Sequence, residues 1–132
     1  MKRYLFDTNH VSAALKNERP LTDRLIAAGE DEFGVCVPSL GELWFMVYNS
    51  ARIAENSANL RTALAQYKRW PFSSACALQF GKIKAELRRT GLTIGDVDVQ
   101  ISAIAMVNDL ILLSDDADFQ AVPGLKLENW IR

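Results

Sequence analysis

The sequence predicts an α/β fold built on a mostly parallel sheet, and three observations predict it. Short apolar runs of strand character alternate with stretches of helical periodicity. The turn formers Gly29, Gly34, Pro38, Pro71, Gly91, Gly95, Pro123 and Gly124 are spread evenly, so residues 1–132 are expected to form a single domain. Hydrophobic residues make up 49% and charged residues 23%, the composition of an ordinary folded chain rather than a disordered one. Folding a chain of this mass leaves roughly 6,900 Å² exposed of roughly 21,000 Å² when extended. A core of ordinary size therefore needs no staples.

Taken in order, residues 3–6 form a short strand that ends at Asp7. A helix follows over residues 10–16. Leu21, Leu25 and Ala28 recur at helical spacing, and Gly29 stops that helix. Residues 33–37 are aromatic and β-branched with Pro38 behind them, a second strand. Ser39 opens a helix with Leu40, Leu43, Trp44 and Val47 on one stripe. Leu60, Leu64 and Tyr67 mark another, ended by Pro71. Ser73 or Ser74 caps a third, with Leu78, Ile83 and Leu87 inward and Gly91 after its last turn. The helical stretch between residues 40 and 90 reads as an inserted helical pair. Asp96 or Val97 begins a helix with Ile101, Ile104 and Ala105 apolar. Residues 110–113 are a buried-type strand and 125–127 a final short one.

Composition excludes several classes. The longest apolar run, residues 43–48, is far short of the roughly 18 residues that span a bilayer, so no membrane segment is expected. The apolar stretch after Met1-Lys2-Arg3 stops at Asp7, which does not fit a signal peptide. Cys36 and Cys76 form neither a disulfide framework nor a CxxC site and are expected to be reduced, buried thiols in a cytoplasmic protein. A single histidine, His10, excludes a zinc site built on several imidazoles. His10 itself is expected to be a local surface or capping residue. The net charge of −1 carries no bulk field toward nucleic acid. Arg52, Arg61, Lys68, Arg69, Lys82, Lys84, Arg88 and Arg89 form either a solvated helix surface or a phosphate-backbone track.

The acids carry the functional reading. In a strand-helix-strand sheet the C-termini of strands and the N-termini of helices share one edge, where ligands bind. Asp7 ends the first strand. Glu42 falls in the first turn of the helix after the second strand, and Asp98 in the first turn of the helix before the third. Asp115 and Asp116 follow that third strand. All of them fall on one edge, and no Lys or Arg adjoins Asp7, Asp98 or Asp116 in sequence. Carboxylates gathered without a cation repel one another and take up protons. A hard divalent cation relieves this, and an all-oxygen donor set favours Mg²⁺ or Mn²⁺. Such a site binds phosphate oxygens and acidifies water, which makes phosphodiester hydrolysis the reaction needing least further machinery.

Each acid also has a purely structural use. Asp7 could be a turn former, and Ser39 to Glu42 a capping box. Asp96 could be an N-cap with Asp98 complementing the helix dipole, and Asp115, Asp116 and Asp118 a solvated loop. Independent structural uses do not converge on one edge. Two rival classes stay open. One is a non-catalytic binding module whose acids cap helices. The other is a receiver-like phospho-accepting domain, which needs its acid pair after the first strand rather than a late one. Trp44, Phe45 and Tyr48 cover more of one helix than a single buried stripe requires, which suits core packing, a partner groove or a dimer contact.

Five segments in order resemble the motifs of PIN-domain nucleases, nearly end to end. They are Leu5-Phe6-Asp7-Thr8-Asn9, Ser39-Leu40-Gly41-Glu42-Leu43, and Ile94-Gly95-Asp96-Val97-Asp98 followed by Ile101-Ser102-Ala103-Ile104-Ala105. Leu112-Leu113-Ser114-Asp115-Asp116-Ala117-Asp118-Phe119 and the close from Val122-Pro123-Gly124-Leu125 to Asn129-Trp130 complete the set. The chain is most similar to the VapC-type toxins of bacterial toxin–antitoxin pairs. The resemblance implies a Rossmann-like α/β/α sandwich and an Mg²⁺- or Mn²⁺-dependent endoribonuclease. It implies an RNA substrate, a homodimer and a cognate antitoxin. It carries the metal-binding and catalytic roles to Asp7, Glu42, Asp98 and Asp116. Thr8 would orient Asp7 or a water, with Ser114, Asp115 and Asp96 in support. Trp44, Phe45 and Tyr48 would line the antitoxin groove.

Overall fold

The centre of the molecule is β1, Arg3–Phe6, whose last three residues are buried. The computed structural model describes residues 1–131. The remaining elements are α1 Thr8–Leu15, α2 Leu21–Ala28, β2 Glu32–Cys36, α3 Val37–Tyr48, α4 Ile53–Leu64, β3 Lys68–Trp70, α5 Ser74–Arg89, α6 Asp96–Val107, β4 Ile111–Leu113 and β5 Leu127–Glu128. A 3₁₀ turn, Ala117–Ala121, lies between β4 and β5. The strands form one sheet in the order β3-β2-β1-β4-β5, and every pairing is parallel.

That order explains the layering. The chain winds outward from β1 through β2 to β3, then returns to the other side of β1 as β4 and β5. Parallel crossovers keep one hand, so reversing the winding direction moves the connecting helices to the opposite face. The pleat matches this. Tyr4, Phe6, Val35 and Leu113 face a core closed by Val11, Leu21, Leu43, Val47, Leu60 and Leu64 of α1 to α4. Leu5, Cys36 and Leu112 face the other side, against Cys76 of α5 and Ile101 and Ile104 of α6. A sheet buried on both faces reads as continuous apolar runs rather than as alternation, which is the pattern of β1 and β4. Both cysteines are buried and free. No helix among the described residues is long and apolar enough to cross a membrane.

Most expected elements are present, with instructive shifts. Gly29 and Gly91 follow their helices at φ 62° and 74°, a left-handed conformation that glycine adopts without a Cβ clash. Ser73 caps α5 by accepting the N–H of Cys76 at 3.3 Å. The helical pair expected between residues 40 and 90 exists as α3 and α4. A strand that periodicity did not reveal, β3, follows it. Two of its three residues are charged and it lies at the sheet edge, so it has no apolar alternation to show. Tyr67 lies beyond the end of α4 and reaches the core from the loop, edge-on to Phe6.

The start of α3 differs most. Ser39 does not open it. Cys36 is the N-cap, and Pro38 sits in the first turn, where a missing N–H costs nothing because no intrahelical acceptor exists there. Ser39 is buried with its hydroxyl 3.3 Å from Cys36 Sγ. The Ser39–Glu42 capping box does not form, and Glu42 stands in the second turn of α3 rather than the first.

Gly34 and Gly41 make a matched test of this packing. A Cβ at Gly34 would lie 2.8 Å from the Lys68 carbonyl oxygen, on the neighbouring strand backbone. One at Gly41, on α3, meets nothing within 4 Å. Gly34→Ala is expected to destabilise by about 1–3 kcal/mol. Gly41→Ala is expected to stabilise by about 0.5–1 kcal/mol. Thermal or urea melts of the two variants check both signs.

Candidate active site

Asp7 follows β1 directly and is the N-cap of α1. Its own N–H still pairs with the Leu113 carbonyl at 2.9 Å, so the backbone leaves the sheet only after the carboxylate is placed. The side chain is 6% exposed and both oxygens are engaged. Oδ1 accepts the Thr8 N–H at 2.8 Å and Oδ2 accepts the Ser114 hydroxyl at 2.8 Å. Burial pushes the Asp7 carboxyl above its ordinary range. The bonds from Ser114 and Thr8 oppose that rise, and the charges of Glu42 and Asp116 add to it.

Ser114 is buried just after β4 and works in both directions. It donates to Asp7 and accepts the Asp116 N–H at 3.1 Å. Asp116 in turn starts the 3₁₀ turn, accepting the Asp118 N–H at 2.9 Å. Thr8 does not orient Asp7 with its hydroxyl. That hydroxyl donates to Glu42 Oε1 at 2.9 Å, so Thr8 spans two acids, one by its backbone and one by its side chain. Asp98 is the third residue of α6, half-buried. Its carboxyl is pushed up to about 6, first by burial and then by the charges of Asp7, Asp116, Glu42 and Asp118.

A cleft of about 590 Å³ is lined by Asp7, Thr8, Glu42, Asp98, Asp115 and Asp116. Asp98, Asp116 and Asp118 bring carboxylate oxygens within 4.8 Å of one another. Asp118 was not singled out as a site residue from sequence. Its two-residue spacing from Asp116 is visible there, but the tight turn that brings it back is not. Among the described residues no ion pair reaches Asp7, Glu42, Asp98, Asp116 or Asp118. The donors are hard carboxylate oxygens, and Lys16, which also lines the cleft, forms no ion pair with these five, an arrangement that suits a divalent cation.

Other expected residues fall elsewhere. Gly95, not Asp96, caps α6, and Asp96 pairs with Lys84 at 2.9 Å away from the cluster. Asp115 lines the cleft and accepts from the Asn9 amide. His10 is neither a surface nor a capping residue. It is fully buried, and burial lowers its imidazole to about 4. Beside the acidic cleft runs an apolar one of about 670 Å³, lined by Val11, Leu43, Met46, Val47 and Leu60 among others. Ser12, Lys16 and Met46 line both. Trp44 lies half-buried under the Arg61 guanidinium at 4.8 Å. Phe45 and Tyr48 are 67% and 63% exposed.

The raised Asp98 carboxyl sets a pH dependence. The folded state binds its proton more tightly than the unfolded chain does. The stabilisation from this group is therefore full below about pH 4, near its unfolded value, and is lost as pH rises through about 6. Without divalent cations, Asp98→Asn is expected to melt higher than the parent at pH 7.5, with the gain vanishing at pH 4. Mn²⁺ is expected to raise the parent's melting temperature at pH 7.5 and to do much less at pH 5. Equal melting of parent and variant at both pH values would remove the electrostatic account.

Comparison with known proteins agrees with this geometry. The PIN domain family matches residues 4–125. "Ribonuclease VapC2" of Haemophilus influenzae is 34% identical, with 99% of this chain and 100% of the relative covered. "tRNA(fMet)-specific endonuclease VapC" of Shigella flexneri is 25% identical, covering 98% and 99%. Among solved structures, VapBC2 of Rickettsia felis bound to a DNA fragment from its promoter superposes with a TM-score of 0.90 at 27% identity, over 97% of this chain and 98% of that one. An acidic edge on an all-parallel sheet, matched along nearly its whole length, places this chain in the PIN-domain family, alongside the VapC ribonucleases.

Proposed function

We propose that this chain is a metal-dependent endoribonuclease and the toxin of a toxin–antitoxin pair. The observation that carries it is the convergence of Asp7, Glu42, Asp98 and Asp116 on one cleft, with no ion pair to any of them among the described residues. The relatives named as ribonucleases and as a tRNA-specific endonuclease support RNA as the substrate. Asp7, Asp98 and Asp116, with Glu42, would hold Mg²⁺ or Mn²⁺. Such a cation, when bound, supplies positive charge against phosphate oxygens and acidifies water.

The chain's own residues supply order. Asp7 cannot turn, because both its oxygens are bonded and its surroundings are closed. Ser114 joins it to the Asp116 backbone, so the acids that follow β1 and β4 are bonded to one hydroxyl. Thr8 fixes one oxygen of Glu42. Glu42 is exposed where it lines the cleft, suited to take a proton from an attacking water. A buried neutral His10 leaves proton transfer to carboxylates.

The solved complexes of similar chains support an antitoxin as partner. We place its contact on α3 and the apolar cleft beside it. Leu43, Met46 and Val47 of α3 line that cleft, Trp44, Phe45 and Tyr48 stand on α3 outside its lining as further aromatic surface, and the cleft adjoins the acids through Ser12, Lys16 and Met46. The reading includes a homodimer, residues 1–132 acting as one domain, and a cytoplasmic location.

The test is cleavage of total cellular RNA by the antitoxin-free protein with Mg²⁺, Mn²⁺ or EDTA, with new RNA ends mapped. Discrete metal-dependent ends are expected. Asp7→Asn is expected to reduce them by about 100-fold or more while the fold is kept. Thr8→Val, which releases Glu42, is expected to cost about tenfold. Undiminished cleavage by clean Asp7→Asn protein would overturn the assignment.

A further inference from the structure

Asn9 and His10 take no part in the chemistry proposed above, yet they form a continuous run of hydrogen bonds between the C-terminal segment and the acidic edge. His10 Nε2 lies 3.1 Å from the backbone N–H of Trp130. A backbone N–H can only donate, so Nε2 must accept, and the neutral imidazole carries its proton on Nδ1. Nδ1 lies 2.8 Å from Asn9 Oδ1, which therefore accepts. That turns the Asn9 amide nitrogen toward Asp115, whose Oδ1 receives it. Each bond sets the direction of the next.

Both ends of the run are anchored. Trp130 is buried, with its ring 4.7 Å from Tyr4 and 5.8 Å from Phe33, and the Arg24 guanidinium 4.6 Å over its face. Its indole N–H donates to Glu128 at 3.0 Å. At the other end Asp115 stands between Ser114 and Asp116, in the segment that joins β4 to the acid cluster. Asp116 is extended, at φ −79° and ψ 118°, and its carboxylate lies with those of Asp98 and Asp118. Both aspartates line the cleft, and the Asn9 amide holds Asp115 while Asp116 stays with Asp98.

We propose that His10 and Asn9 are positioning residues for the acidic edge. The Trp130 N–H sets the imidazole, the imidazole sets the Asn9 amide, and the amide anchors Asp115 so that Asp116 faces Asp98. The aspartate doublet is thereby divided: Asp115 anchors the loop and Asp116 serves the cation. This inference rests on the nuclease reading for its activity readout, and has two readouts independent of it.

The test reverses one bond. Asn9→Asp keeps the acceptor for His10 but turns a carboxylate on Asp115, so two acceptors meet. Asn9→Asp with Asp115→Asn restores a donor–acceptor pair in the opposite direction at unchanged net charge. Asn9→Asp alone is expected to lower kcat on RNA by about tenfold with KM unchanged, and to raise by a similar factor the Mn²⁺ concentration giving half the gain in melting temperature. The double variant is expected to recover both to the level of Asp115→Asn. Asp115→Asn is expected to keep at least about tenfold more activity than Asp116→Asn. Because the chain has one histidine, two-bond ¹H–¹⁵N NMR reads its imidazole directly, and the neutral Nδ1–H form is expected in the parent. An Nε2–H imidazole, no recovery in the double variant, or equal loss in Asp115→Asn and Asp116→Asn would each overturn the proposal. A parent that folds with the Nδ1–H imidazole but cleaves no RNA overturns the nuclease reading instead, and the Mn²⁺ midpoints of the same proteins then decide the positioning role.

Discussion

The hydrogen bond from Ser114 Oγ to Asp7 Oδ2 joins the ends of two adjacent parallel strands at the point where the sheet changes its winding direction. β1 and β4 are neighbours in space but far apart in the chain, with every helix packed between their sequence positions. Parallel strands leave a crevice at such a reversal because their following segments turn to opposite faces. In this molecule a buried carboxylate lies at the end of one strand and a buried hydroxyl at the end of the other. Burying a carboxylate is costly unless its oxygens are bonded, and Ser114 and the Thr8 N–H supply those bonds. Asp116 and Glu42 are tied to that anchored pair through Ser114 and Thr8, and the start of α6 brings Asp98 to the same cleft.

Electrostatics then separates residues that serve the cleft from those that serve the fold. Asp96, Asp109 and Asp23 each meet a cation at the exposed surface, where such pairs contribute little. Among the described residues Asp7, Glu42, Asp98 and Asp116 form no ion pair, and their mutual repulsion adds to burial in raising the Asp98 and Asp7 carboxyls. A protein selected only for stability would not assemble that cluster, so the strain points to a cation as its relief. Several basic side chains of the helical middle are engaged locally. Lys84 meets Asp96, Arg61 covers Trp44, and Lys68 lies over Trp70.

His10 illustrates how one residue type changes meaning with depth. A lone histidine three residues from Asp7 invites a role in proton transfer. Buried and accepting from a backbone N–H, with its basicity lowered to about 4, it is a neutral structural connector. The aromatic close of the chain has the same character. Trp130 fills the core beside Tyr4 and Phe33, and Ile131 after it lines the acidic cleft.

Residue order alone determined the layer architecture and the shared edge of the acids, because helical and strand periodicities are local and parallel topology puts strand ends and helix starts together. Asp7, Asp98, Asp116 and Glu42 were legible for that reason. Tertiary structure alone decided what depends on distant neighbours. β3 exists because β2 offers it an edge, not because Lys68, Arg69 and Trp70 prefer a strand. Glu42 is released from a capping box because α3 begins earlier, at Val37, with Pro38 accommodated in its first turn. Thr8 reaches Glu42, and Asp118 curls back to Asp116 and Asp98, only once the elements have packed. The division of labour between Asp115 and Asp116 has the same origin. Two adjacent, chemically identical side chains are indistinguishable in sequence, and are told apart by the groups that meet them, the Asn9 amide at Asp115 and the Asp118 N–H at Asp116.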